Sequence, residues 1–301
     1  MMCKQVIVIL ALVVSSICSY AQNGNKNYTE MRDEGLSFMK KGNFPIAFKK
    51  LKGAAGFAEK SWEKSEIARL QNQLRDSISS TYKRGIAMAE KANNSKAYSA
   101  AAEELKKLVP TDGLNVSQVY SWLGYCYENL NEPFGAIDYY SEGVKHNEAF
   151  SARNLATLLQ KYKDIPQDSL RRLYERAAPH YKEVYDNLGY MYISSSPNKA
   201  YNYFKQSGTK YGRYQMATLL LTNKVSSNDN PIQMLQQLSN ENYGDAQFYL
   251  GLLYFHGERV AQDANKGLQL INAAKANGNT DAKQWLIDRD KEIKKLKYPY
   301  L

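Results

Sequence analysis

Tyr120-Ser121-Trp122-Leu123-Gly124-Tyr125-Cys126-Tyr127, followed by Ala136 and Tyr140, is the stretch on which the reading of this chain turns. A large residue, Leu-Gly three and four positions on, and Tyr three further make the spacing of one helix; Ala136 and Tyr140 share a face on a second. Asn131-Glu132-Pro133 separates the two, with Pro133 where a helix would open. The frame returns along the chain. Tyr185, Leu188, Gly189 and Tyr192 repeat it, with Ala200 and Phe204 after a loop one residue shorter. Gly35, Phe38, Ala47 and Leu51 repeat it near the N-terminus, and fainter copies centre on Gly85, Ala156 and Ala217. The steps from 124 to 156 to 189 are 32 and 33 residues.

This pattern resembles the tetratricopeptide repeat, whose period is about 34 residues. Two departures stand out: the terminal Pro is missing, and Gly143 replaces the usual small Ala. The last copy resembles the longer-looped Sel1-like repeat, carried by Ala246, Leu250-Gly251, Tyr254, Gly257, Val260, Asp263, Lys266, Ala273-Ala274 and Gly278, with Gly267 in place of the usual Ala. The resemblance covers residues 29–285 and is that of a secreted bacterial repeat protein. It implies an all-α fold, an α-solenoid of stacked antiparallel helical hairpins forming a tetratricopeptide/Sel1-like superhelix. The physics agrees. Gly or Ala at the eighth position lets two helices approach closely, and the surrounding large residues bury a stripe that a lone hairpin cannot cover, so neighbours must stack.

Between Gly35 and Gly85 the spacing is 50 residues, too long for one repeat. Glu63–Glu90 reads as a long helix, with Trp62, Ile67, Leu70, Leu74, Ile78 and Tyr82 expected in the core. Asp281–Lys297 reads as a helix that caps the stack with its polar face. The expected organisation is therefore a leader over residues 1–21, N-terminal helical repeats with one long helix over 22–116, and regular repeats with a capping helix over 117–301.

The leader is read from Lys4, the apolar run Val6 to Val14, and Ser19-Tyr20-Ala21 before Gln22, which together make a secretory signal peptide. The run is about half the ~20 residues a spanning helix needs. Cys18 follows Ile17 and has Ser15 three positions before it, a poor match to a lipidation signal. Cleavage is expected after Ala21, leaving Gln22–Leu301 with no transmembrane segment, periplasmic or extracellular. The three N-x-S/T sequons, at Asn27, Asn93 and Asn115, read as coincidence in a chain whose leader looks bacterial.

The chain carries a formal charge of +10, and Lys4 is the only charged residue of the leader, so the mature charge is +9. That excess favours acidic partners, and export leaves nucleic acid outside the expectation. Once the leader is gone Cys126 is the only cysteine, which excludes an intramolecular disulfide and a cysteine-based metal site. On so apolar a helix it reads as an inert, buried thiol. His146, His180 and His256 lie far apart without ligand-like spacing. Phosphate-binding glycine loops, nucleophile elbows and zinc-protease signatures are not found in the sequence. No catalytic residue, metal or cofactor is expected.

By its resemblance to the tetratricopeptide family, the chain should line a concave face with first-helix residues at repeat positions 2, 5, 9 and 12. Those include Tyr125, Glu128, Arg153, Gln160, Tyr190, Tyr214 and Phe248. The clamp that some members use for peptide C-termini is absent, because Ser121 and Tyr125 occupy its places. Three functions stay open: a non-catalytic envelope scaffold binding protein partners, acidic or extended segments suiting charge and face; a glycan- or peptidoglycan-associated factor; and a hydrolase with an unrecognised site.

Overall fold

The computed structural model describes residues 26–114, 116–162 and 165–297, with side chains up to Ile293. The leader, its cleavage site and Cys18 lie outside the described residues, as does Asn115. The chain divides into two compact units, Met1–Pro166 and Gln167–Leu301. The junction at 116/117, taken from the change in repeat regularity, lies inside the first.

Seven helices are described in the first unit: α1 over residues 26–40, α2 Phe44–Phe57, α3 Ser61–Lys91, α4 Ser95–Lys106, α5 Val119–Asn129, α6 Pro133–Lys145 and α7 Ala149–Tyr162. The second unit holds α8 Gln167–Ala177, α9 Val184–Tyr192, α10 Pro197–Ser207, α11 Lys210–Leu221, α12 Pro231–Asn240, α13 Gly244–His256, α14 Ala264–Ala276 and α15 Thr280–Lys297. No strand occurs among the described residues. From α2 to α7 and from α8 to α15 each helix packs on the next, as in a stack of antiparallel hairpins.

Local chemistry sets the boundaries. Prolines open α6, α10 and α12, where their missing N–H costs nothing. Side chains of Asn43, Asn94, Thr209, Asn230 and Asp263 accept hydrogen bonds from the first-turn N–H groups of their helices. Gly208 and Gly257 end α10 and α13 in the left-handed conformation that favours glycine.

One contact recurs at the hairpin crossings and refines the sequence reading. Each crossing glycine lies under a large side chain four residues beyond the small residue of the second helix. A Cβ on Gly35 would come 2.7 Å from Leu51, on Gly85 2.6 Å from Leu105, on Gly124 2.5 Å from Tyr140, and on Gly189 2.6 Å from Phe204. The glycine is thus a seat for that large residue. Leu51, Leu105, Tyr140 and Phe204 are all 0% exposed.

The long helix α3 accounts for the 50-residue gap. Its first turns meet α1, where the Tyr28 hydroxyl donates to Glu66 at 2.9 Å and to the Glu63 carbonyl at 3.3 Å, and its far end seats Leu105 of α4 on Gly85. Ile67, Leu70, Leu74 and Ile78 are buried and Tyr82 is half-buried, as expected. Trp62 is a correction: it is 54% exposed. The inward position one turn before Ile67 belongs to Glu63, whose carboxylate accepts from the backbone N–H of Glu59 (2.9 Å) and Lys60 (3.0 Å). A helical period that puts Glu63 inside turns Trp62 outward.

Between α5 and α7 the buried hydroxyls of Ser121 and Ser151 are 2.7 Å apart. Gly143 of α6 lies against them, where a Cβ would collide with the Ser151 hydroxyl. The hydroxyl pair explains why glycine replaces the usual alanine at 143.

Candidate functional site

The residues expected on the concave face separate into two kinds. In the first unit Tyr125 is half-buried and packed edge-on against Tyr98 of α4 (centroids 5.9 Å apart) and Trp122 (5.9 Å). Its phenol is raised above the ordinary tyrosine range, first by the hydrogen bond with Tyr98 and then by burial. Glu128 is exposed and accepts from the Tyr140 hydroxyl at 3.0 Å. That hydroxyl in turn accepts from Asn154 at 3.3 Å, and the Arg153 guanidinium donates to Asn154 at 3.2 Å. Glu128 and Arg153 are therefore joined through Tyr140 and Asn154. Burial is the main cause that drives the Tyr140 phenol far above its ordinary value. Gln160 is exposed near the end of α7.

In the second unit Tyr190 is 63% exposed on α9. Tyr214 is half-buried, its ring 5.8 Å from Tyr243 and 6.4 Å from Tyr249. Phe248 packs against Ile271, Ala274 and Ala282 beside Trp285. Three of the four expected aromatics, Tyr125, Tyr214 and Phe248, thus spend much of their surface on neighbouring helices, and Tyr190 does not.

The aromatic surface of the first unit comes from residues that the repeat frame does not mark. Phe134, second residue of α6, is 61% exposed, and its ring lies 6.5 Å from that of Tyr162, the last residue of α7, itself 38% exposed. The next residue has to be glycine, because a Cβ at Gly135 would strike the Tyr127 ring. The Lys161 ammonium sits 4.8 Å from the Tyr162 centroid and feels the Glu128 carboxylate. Its pKa is raised, first by the hydrogen bond with Tyr162. Two tilted rings with a cation beside them, Gln160 on α7 and Glu128 near the end of the preceding α5 make an exposed surface of mixed character. The available signal in the sequence was Phe134 directly after a helix-opening proline.

Cys126 is fully buried, and burial pushes its thiol up to about 11, far from a nucleophile's range. Among the described residues no three His, Cys, Asp or Glu side chains gather as metal ligands. No described helix is long and apolar enough to cross a membrane.

No protein-family model and no curated protein matches the chain. Solved structures do. A Sel1 repeat protein from Oxalobacter formigenes superposes with a TM-score of 0.54 at 17% identity, over 67% of this chain and 84% of that one. A protective antigen of uropathogenic Escherichia coli strains displaying an SLR fold gives 0.54 at 15% identity, over 88% of this chain but only 64% of its own length. The glycine-seated hairpins and these superpositions identify the fold: the chain is built as a Sel1-like, tetratricopeptide-type helical repeat protein.

Proposed function

We propose that this chain is an exported, non-catalytic scaffold of the cell envelope whose first unit holds a protein partner on the Phe134–Tyr162 surface. The observation that carries this reading is the contact between two exposed aromatic rings held on separate helices. Exposed aromatics anchored by their own backbone are the residues that dominate interface energies. Lys161 and Glu128 add one charge of each sign beside the rings, which suits an extended or helical segment with an apolar anchor and polar flanks. Stacked helical hairpins supply a rigid support for such a surface. Export rests on the leader pattern of residues 1–21.

The test compares the wild type with a Phe134→Ala/Tyr162→Ala variant in recovery of partners from envelope extract, with melting temperature measured on both. Loss of a hot-spot pair should weaken recovery by roughly tenfold or more at unchanged melting temperature. Undiminished recovery by a folded variant rejects this surface. Sedimentation with purified cell wall, unaffected by the same variant, would favour the glycan-associated alternative. N-terminal sequencing of the exported protein should begin at Gln22, and a lipid on Cys18 would replace simple cleavage by a membrane tether.

A further inference from the structure

Two further exposed aromatics of the first unit flank the corner where α2 gives way to α3. Phe57, the last residue of α2, is 38% exposed, and Trp62, second in α3, is 54% exposed. Only Ala58, Glu59 and Lys60 separate the two helices. From Phe57 to Lys64 the chain carries two lysines and two glutamates. Lys60 and Lys64 are exposed at the corner, and Lys52 is exposed on the later turns of α2. Of the two glutamates only Glu59 faces outward, because Glu63 is turned inside onto the backbone N–H groups of residues 59 and 60.

We infer that this corner is a peripheral docking surface for an anionic lipid bilayer. The indole and the phenyl ring project from a chain reversal at the end of a helix pair, flanked by ammonium groups that face outward. Tryptophan and phenylalanine settle at headgroup depth, where the indole N–H stays wet and the rings leave water. Lysines beside them meet the negative surface potential of anionic lipids. The corner is also held rigid before contact. Trp62 stands edge-on at 6.1 Å against the ring of Tyr28, which is 0% exposed and fixed by its hydroxyl to Glu66 and to the Glu63 carbonyl. Glu63 fixes the connection itself. Little ordering entropy remains to be lost on docking, so the exposed rings and the lysines act together. This surface involves none of the residues proposed above for the protein partner.

The experiment is sedimentation of the full chain with phosphatidylglycerol vesicles and with phosphatidylcholine vesicles, together with the fluorescence of Trp62. Binding to phosphatidylglycerol should exceed binding to phosphatidylcholine by roughly tenfold or more and weaken as salt is raised. Tryptophan emission should shift to the blue on phosphatidylglycerol, and Trp62→Phe, which keeps a ring against Tyr28, should abolish the shift. Phe57→Ala/Trp62→Ala and Lys60→Glu/Lys64→Glu should each lose most of the bound fraction. The lysine variant alters exposed side chains only, so it keeps the test sound if the aromatic variant melts early. A wild type that stays in the supernatant with phosphatidylglycerol overturns the inference. So does pelleting that survives both variants. Binding to soluble polyglutamate in place of vesicles, lost in the same variants, would reassign the corner to an acidic polypeptide.

Discussion

In the α5–α6 hairpin the crossing glycine meets an aromatic ring, whereas in the α13–α14 hairpin it meets both an isoleucine side chain and the backbone of a second glycine. A Cβ on Gly124 would lie 2.5 Å from the Tyr140 ring, a side chain. On Gly251 it would lie 2.7 Å from the Ile271 side chain and 3.0 Å from the carbonyl oxygen of Gly267; on Gly267, 2.7 Å from the Gly251 oxygen and 2.7 Å from the Phe255 nitrogen, both backbone. The connections differ in the same sense. The first hairpin turns through Leu130–Glu132, and the second runs through a longer loop, residues 257–263. That loop is tied down by hydrogen bonds from the Asp263 N–H to the Tyr254 carbonyl (2.9 Å) and from Gln262 to the Phe255 carbonyl (3.1 Å). Arg259 adds bonds to the Leu221 carbonyl and to Asn223. Where a ring fills the crossing a short turn suffices; where backbone also touches backbone, the loop has to travel around the crossing and needs its own fastenings. Gly267, which departs from the Sel1-like pattern, is the residue that this closer approach requires.

The comparison fails most visibly if Gly267→Ala is harmless. Backbone cannot rotate aside as a side chain can, so this substitution should cost about 3 kcal/mol, the upper end of overpacking. Thermal denaturation followed by circular dichroism reads it, and a wild-type melting temperature would mean that the α13–α14 crossing opens freely. Gly124→Ala should cost less, ~1–2 kcal/mol, because a ring can tilt even though Glu128 and Asn154 hold its hydroxyl. Combining it with Tyr140→Leu should recover part of the loss; purely additive changes would place the strain elsewhere.

Cys126 offers a sharper probe of the first hairpin. Its thiol, fully buried and held protonated at pH 8, should react with a thiol reagent only when the hairpin opens. Gly124→Ala should then speed labelling by roughly tenfold for each ~1.4 kcal/mol it removes, and an unchanged rate would separate opening from the crossing. The smallest effect belongs to Gly56, in α2, where a new Cβ meets nothing within 4 Å. Gly56→Ala should stabilise by about 0.5 kcal/mol, since alanine is the better helix former. Destabilisation there would show that helical glycines in this chain matter for something other than crossings.

Much of the fold was legible because glycine at a crossing leaves a mark in sequence. The Leu-Gly-x-x-Tyr frames at 124 and 189 both correspond to seated large residues, Tyr140 and Phe204. The long helix read as Glu63–Glu90 runs Ser61–Lys91, and the capping helix read from Asp281 begins at Thr280. The surface was less legible. Periodicity says which side of its own helix a residue occupies, but not whether a neighbour covers that side. Tyr98 covers part of Tyr125 and Tyr243 part of Tyr214, and neither pairing has a fixed spacing in the chain. Trp62 was misplaced for a related reason. A carboxylate took the inward position to cap backbone N–H groups, and apolar spacing does not register an inward glutamate.

The buried bond between Ser121 and Ser151 bears on how this protein could have grown. Repeat proteins lengthen by copying a module, and a copied module must find the same neighbour on each side. Here the hydroxyl of α5 is satisfied by the hydroxyl of α7 across Gly143, a match between two particular helices. Inserting a duplicate between them would leave a serine buried without its partner, at ~1–3 kcal/mol for each orphaned hydroxyl. The order of these modules is locked by a polar address at their junction, so duplication at that point would have to carry compensating substitutions with it.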